Sequence, residues 1–279
     1  MRAAWYEKQG PASEVLQLGN LPTPEPEQGE VRVKLSFSGV NPSDTKRRLG
    51  FGGQKMAYPA IVPHSDGSGV IDQVGTGVPK NRIGERVWIY CGQWERAHGT
   101  AADYISIRAN HAIHLPDNIE LMSGACLGIP AVTAHRALFS DGPIKGLTVL
   151  VTGGAGAVGN YAIQLAKWGG AERVITTCSS PEKENQAKAA GADLVINYKE
   201  EDVSAKIMDA TDGQGVDRIV EVAFGVNLPS TVALLKDNGI ISAYASDIEP
   251  TPILPFYPRM QKITMLCWVF MYKIHEDDF

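Results

Sequence analysis

Cysteine is scarce in this chain. Four occur in 279 residues, Cys91, Cys126, Cys178 and Cys267, and none stands at the spacing of a metal knuckle or a disulfide framework. Scattered thiols suit a reducing compartment, so the expected location is the cytoplasm. An excess of positive charge is also missing. Against 31 Asp and Glu there are 26 Lys and Arg, a formal net charge of −5, which argues against nucleic acid as a partner. Long uninterrupted apolar runs are absent too. The N-terminal Met1-Arg2-Ala3-Ala4-Trp5-Tyr6-Glu7-Lys8 lacks the core of a signal peptide, and the apolar stretch 253–272 is broken by Pro255, Pro258, Arg259 and Lys262. A membrane is therefore not an expected partner. There is no internal repeat or low-complexity tract, and 44% hydrophobic residues supply one large core or two ordinary ones.

Glycine, by contrast, is concentrated where it carries meaning. The β-branched run Thr148-Val149-Leu150-Val151 leads through Thr152 and Gly153 into Gly154-Ala155-Gly156-Ala157-Val158-Gly159. Val158, Ala162, Leu165 and Ala166 then recur at helical spacing until Gly169-Gly170, and a second short strand follows at 173–177. Strand, glycine turn and helix start in this order hold a dinucleotide pyrophosphate. Gly154 is expected to permit the tight turn, Gly156 to let the backbone approach the phosphates, and Gly159 to let the helix pack on the strand. The helix N-terminus offers N–H groups and a positive dipole end to the anion. The alternative is a glycine turn in some other βαβ unit, serving packing alone.

The two halves have different rhythms. Up to about residue 120, short β-like runs at 31–35, 69–74 and 85–90 are split by Gly and Pro, which suggests a twisted antiparallel barrel. A helical pattern at 131–138 bridges to the second half. From Thr148 strands are expected at 149–151, 174–177, 194–198, 218–222 and 240–245, with a sixth at 263–270, and helices fit between them. One helix is well signed, with Ser180 as cap, Pro181 at its first position and Gly191 past its end. The fold class expected is α/β: a barrel domain over residues 1–122 and a doubly wound parallel sheet over 123–279.

Cofactor choice turns on a missing acid. Chains that hold the ribose 2′-hydroxyl of NAD place Asp or Glu about 20 residues past the glycines. Here that strand ends in Thr177-Cys178-Ser179-Ser180-Pro181-Glu182-Lys183. Small hydroxyls leave room for a 2′-phosphate and Lys183 can pair with it, so NADPH is favoured. Ser179 and Ser180 also read as helix caps and Lys183 as a solvated charge, roles compatible with phosphate binding.

Further motifs stand in order: Gly39-Val40-Asn41-Pro42-Ser43-Asp44, Pro63-His64-Ser65-Asp66-Gly67-Ser68-Gly69 and Gly128-Ile129-Pro130-Ala131-Val132-Thr133-Ala134. With the glycine loop, they make the chain resemble, over essentially its whole length, the zinc-independent, zeta-crystallin-like quinone oxidoreductase branch of the medium-chain dehydrogenase/reductase superfamily. The resemblance implies a GroES-like catalytic domain, a Rossmann domain and a cleft for NADPH and substrate. It places Asn41, Thr133, Gly154, Ala155, Gly156, Ala157, Val158, Gly159, Ser179, Ser180, Lys183, Tyr198, Asn227 and Ser246 at the cofactor. It also implies dimerisation through the Rossmann edge strand at 263–270. The family continues several tens of residues past Phe279 with a strand that returns to the first domain, so that domain is expected to lack a partner strand here.

Zinc cousins share the two-domain plan, but catalytic zinc needs three protein ligands. His64 sits at the cousins' zinc histidine, whereas Asn41 and Leu127 occupy the cysteine positions and Cys126 is only adjacent. No metal is therefore expected, and His64 reads as a hydrogen-bonded cleft residue. Without a Lewis acid, the substrate must already be a good hydride acceptor, a quinone or an α,β-unsaturated carbonyl. Asn41 is the expected contact to substrate carbonyl or cofactor ribose, or else an Asx turn before Pro42. Asp44 reads as either a site or a turn residue. Tyr58, Gln93, Trp94 and His98 are expected to rim the cleft. No general acid is evident, which fits quinone reduction better than alcohol oxidation. The alternatives carried forward are an enoyl-thioester reductase and a non-catalytic NADPH-binding protein.

Overall fold

The computed structural model describes residues 1–254 and 256–274; Pro255 and residues 275–279, the end of the second expected domain, lie outside the described residues. The chain divides into two compact units, Met1–Ile129 and Pro130–Phe279.

The first unit contains β1 (Arg2–Trp5), α1 (Ala12–Val15), β2 (Gln17–Asn20), β3 (Glu30–Gly39), α2 (Pro42–Leu49), β4 (Asp66–Val74), β5 (Arg86–Ile89), β6 (Tyr104–Arg108), β7 (Ala112–His114) and α3 (Leu121–Gly124). Strands β1 and β2 form a hairpin, and the rest make an antiparallel sheet in the order β6-β3-β4-β5-β7. Alternation buries Val31, Val33, Ile71, Val87, Ile89, Ile105 and Ile107 as one core. On the other face Arg32 Nε meets Asp72 Oδ1 at 3.0 Å. Two register shifts between β3 and β4 curl the sheet towards a barrel. At one of them a Cβ on Gly69 would lie 2.1 Å from the Lys34 carbonyl oxygen, so glycine is needed there.

Helix α4 (Gly128–Phe139) leads into the second unit. The observed division after Ile129 falls later than the expected one after residue 122. Two contacts keep the intervening chain with the first unit: Ser68 Oγ donates to the Leu121 carbonyl, and the Asp66 carboxylate accepts the Ile129 N–H at 2.9 Å.

The second unit alternates as expected: β8 (Thr148–Val151), α5 (Ala157–Trp168), β9 (Arg173–Cys178), α6 (Pro181–Ala189), β10 (Leu194–Asn197), α7 (Val203–Ala210), β11 (Val216–Glu221), α8 (Phe224–Leu234), β12 (Leu235–Ala243), α9 (Phe256–Gln261) and β13 (Met265–Trp268). The strand order is β10-β9-β8-β11-β12-β13, every neighbouring pair parallel. That is a doubly wound sheet whose crevice opens where the order reverses, between β8 and β11 at their carboxyl ends. Side chains alternate between two covered faces, Val149, Val151 and Val174 on one, Leu150, Ile175 and Ile219 on the other. Arg218, 2% exposed, donates to the last turn of α4 at the Leu138 carbonyl and pairs with Asp141. Strand β12 starts earlier than expected because its register to β11 jumps from Leu235 to Ile240, a bulge holding Asn238 at φ +63°. Among the described residues no helix is long and apolar enough to cross a membrane.

Candidate functional site

The glycine loop joins β8 to α5, and its glycines divide the work differently from the expectation. The left-handed residue that makes the turn is Gly153, at φ +68°, and not Gly154. Gly154 serves close packing, since its Cβ would lie 2.1 Å from Thr176 Oγ1. Gly159 does the same for the helix, with its Cβ 2.3 Å from the Gly153 carbonyl oxygen. A Cβ on Gly156 would meet only that carbonyl, at 3.3 Å, so this glycine keeps its outer side open. Ala155 completes the turn. The first helical bond runs from Asn160 N–H to the Gly156 carbonyl at 2.8 Å, leaving the N–H groups of Ala157 and Val158 without partners inside the helix. These are the donors an incoming diphosphate requires.

The adjoining strand tip is arranged as the sequence suggested. Ser180 caps α6 through Lys183 N–H at 3.4 Å, while Lys183 Nζ donates to Ser179 Oγ at 2.9 Å. One ammonium and one hydroxyl thus stand together at the carboxyl end of β9, where an acid would exclude a phosphate. Next to them opens a cavity of about 430 Å³ walled by Thr152, Gly153, Thr177, Tyr198, Val222, Ala223 and Asn227 among others. Tyr198 is 53% exposed. Asn227 is held by Glu221, a residue the sequence reading passed over. The Glu221 carboxylate is fully buried, and its Oε1 accepts from Thr152 Oγ1 at 2.9 Å, Ala223 N–H at 2.6 Å and Asn227 Nδ2 at 2.9 Å. Burial raises its pKa against those bonds. The available signal was one acid closing the apolar run Ile219-Val220-Glu221-Val222. Ser246 lies outside this wall, accepting Gly225 N–H at 2.9 Å and donating to the Glu249 carbonyl. Thr133 is buried on α4. A larger apolar hollow of about 770 Å³, between α8 and α9, contains none of the expected site residues.

In the first unit Asn41 and Asp44 form the start of α2. Asn41 N–H donates to Asp44 Oδ2 at 2.8 Å, and Asn41 Nδ2 donates to Asp66 Oδ2 at 2.8 Å. All three are buried, with Asp66 1% exposed. Burial pushes Asp44 up to about 6 and Asp66 up to about 7, despite the hydrogen bonds they accept. The signal for Asp66 in the sequence is an acid just before Gly67 at the start of an inner strand. One Nδ2 proton of Asn41 is committed to Asp66, so the amide orientation is set.

His64 is separate from the other expected cleft residues. It adopts φ +77°, and its Nδ1 lies 2.9 Å from Ser38 Oγ. Ser38 Oγ is 2.9 Å from Thr100 Oγ1, which donates to the Asp66 carbonyl at 2.5 Å. Thr100 has one proton and gives it to that carbonyl, so Ser38 donates to Thr100 and accepts from His64 Nδ1–H. The lone pair then sits on Nε2, and burial lowers the basicity of the ring, favouring its neutral form. Tyr58, Gln93 and Trp94 instead share a second cavity, of about 300 Å³, with Arg47. His98 contributes a backbone bridge to Val62.

Among the described residues no group of three or more His, Cys, Asp or Glu is placed to hold a metal ion.

Known proteins share this plan. Residues 27–117 match the alcohol dehydrogenase GroES-like domain and residues 157–278 the zinc-binding dehydrogenase family. The quinone oxidoreductase of Rattus norvegicus is 33% identical over 278 residues, covering 98% of this chain and 81% of that protein. An NAD-dependent alcohol dehydrogenase superposes with a TM-score of 0.86 at 31% identity, covering 96% of this chain and 84% of that one. A mycobacterial protein solved in complex with NADPH gives 0.84 at 28% identity, covering 98% and 82%. Fold and site define an α/β dinucleotide-fold dehydrogenase with a GroES-like domain. The chain belongs to the quinone oxidoreductase family of medium-chain dehydrogenases/reductases and is an oxidoreductase enzyme.

Proposed function

We propose that this protein binds NADPH and passes hydride from its nicotinamide to a quinone or an α,β-unsaturated carbonyl, without zinc. The observation that carries the reading is the Lys183–Ser179 pair at the end of β9, beside a glycine loop with an open Gly156. Relatives named for NADPH support it. The related NAD-dependent alcohol dehydrogenase makes the strand tip, rather than the fold, the deciding feature. The cofactor, once bound, supplies the hydride. The chain supplies the diphosphate donors at Ala157 and Val158 and the 2′-phosphate partner at Lys183; in the first unit Asn41, its Nδ2 bonded to Asp66 and its oxygen accepting in the α2 capping box, is the proposed substrate contact through its remaining N–H. With no metal to polarise a carbonyl, the acceptor must be electrophilic by itself, and water completes protonation.

The quaternary reading is a homodimer through β13. This is an edge strand with Met265 50% and Trp268 66% exposed, flanked by exposed Ile263 and Phe270. A cytoplasmic location accords with four cysteines that form no disulfide. The test is NADPH oxidation with phenanthrenequinone, enones and enoyl thioesters in parallel. Turnover of quinone or enone supports the proposal, turnover of thioesters alone selects the enoyl reductase, and binding of NADPH with no turnover selects a non-catalytic role.

A further inference from the structure

The cavity that gathers Tyr58, Gln93 and Trp94 has a charged wall which the activity above does not use. Arg47, from the last turn of α2, lines it together with Lys55, and Glu95 is the one acid among its lining residues. Apart from the amides of Gln9 and Gln54, the remaining wall is apolar, with the rings of Tyr6 and Tyr58 beside Met56 and Ile61. We propose that this cavity takes an electron acceptor bearing a carboxylate or sulfonate on its conjugated ring, and that Arg47 selects the charge. The inference rests on the quinone- or enone-reductase reading and narrows its substrate class.

The arrangement holds Arg47 still. Gln93, 4% exposed, accepts from its guanidinium through both the side-chain oxygen and the main-chain carbonyl, the latter at 3.2 Å. The other end of the Gln93 amide is fixed, with Nε2 donating to the Arg96 carbonyl at 2.8 Å. Gln9 Nε2 donates to the Arg47 carbonyl at 3.1 Å and pins its main chain. The guanidinium carbon lies 5.2 Å from the centre of the Trp94 ring. A stacked guanidinium on a buried amide has surrendered its rotamer freedom before any ligand arrives, so pairing with an anion costs little ordering. Across the cavity the Tyr58 hydroxyl is spent on the Glu95 carbonyl at 2.5 Å, which leaves that side chain presenting its ring. A volume of about 300 Å³ is at the small end for organic ligands and suits one or two rings. Aromatic walls, a fixed cation and one net positive charge fit a flat anion better than a neutral ring.

A naphthoquinone and its sulfonated counterpart test this. With wild-type protein and NADPH, the sulfonate is expected to have a kcat/KM roughly tenfold higher at low ionic strength, equivalent to about 1.4 kcal/mol. The advantage should shrink as salt rises from about 0.01 to about 0.2 M. Arg47→Gln should bring the ratio near one, and Arg47→Lys should restore part of it. The ratio is internal to each variant, so a general loss of activity does not imitate the effect. Calorimetric titration with the two naphthoquinones asks the same question without turnover. Tighter binding of the sulfonate, lost in Arg47→Gln, upholds the proposal. Equal binding of both, or a preference that survives Arg47→Gln or ignores salt, overturns it. If the sulfonate binds selectively but neither compound oxidises NADPH, the reductase reading fails while the anion site stands.

Discussion

Replacing Lys183 with alanine separates the two dinucleotides. Lys183 Nζ stands 2.9 Å from Ser179 Oγ, where a 2′-phosphate would displace or share that hydroxyl. A phosphate of this type carries between one and two negative charges near neutrality, its second proton leaving at about pH 6. Two unit charges about 4 Å apart attract by about 4 kcal/mol at an effective dielectric of about 20 and about 1 kcal/mol in water. The Lys183 side chain is exposed, so the lower end governs, about 1–2 kcal/mol, a roughly five- to thirtyfold loss of NADPH affinity. The fold does not confound the measurement. A cation in the first turn of α6 opposes the helix dipole, so alanine there does not weaken the helix. The assay is KM for NADPH and for NADH in wild type and Lys183→Ala, with fluorescence titration of each reduced cofactor. The NADPH/NADH preference should fall by the stated factor. Equal losses for both cofactors, or none for either, would refute the assignment of Lys183 to the 2′-phosphate.

Other consequences are equally direct. Gly154→Ala puts a methyl 2.1 Å from Thr176 Oγ1, an overpacking of about 1–3 kcal/mol that should lower the unfolding midpoint by several degrees. Gly156→Ala meets no such obstacle and should leave the midpoint in place while abolishing dinucleotide binding. Asp66 is raised from 3.8 to about 7, so between those values the folded state holds a proton that the unfolded state has released. Stability should therefore fall as pH rises through that window, by up to about 1.4 kcal/mol per pH unit from this group, and Asp44, raised to about 6, acts in the same direction. Urea melts of wild type and Asp66→Asn across pH 4–7 check this, the variant showing the shallower slope.

The parallel sheet was legible because each of its strands is a short apolar run between helical patterns, and all six expected runs became strands. Ser180, Pro181 and Gly191 likewise bounded α6 as their chemistry demands. The rest was hidden in tertiary contacts. The boundary moved past residue 122 because Asp66 reaches across 63 positions to hold Ile129, a bond no local pattern announces. The turn passed from Gly154 to Gly153 because the two look alike in sequence, and only Thr176 across the strand tells them apart. Tyr58, Gln93 and Trp94 did share a cavity, but Arg47 was invisible as their partner within the basic run Lys46-Arg47-Arg48, which reads as a solvated helix end. Glu221 escaped because a single acid at a strand end carries no periodic signal.

Hydride transfer from NADPH to an electrophilic acceptor without a metal is open to direct measurement. The most direct measurement follows the loss of reduced-nicotinamide absorbance with phenanthrenequinone, on protein treated with a strong chelator and assayed for zinc. Quinone-dependent oxidation should be undiminished at a zinc content far below one ion per chain. A flat trace with quinones and enones alike, or activity that disappears with the metal and returns with added zinc, would contradict it.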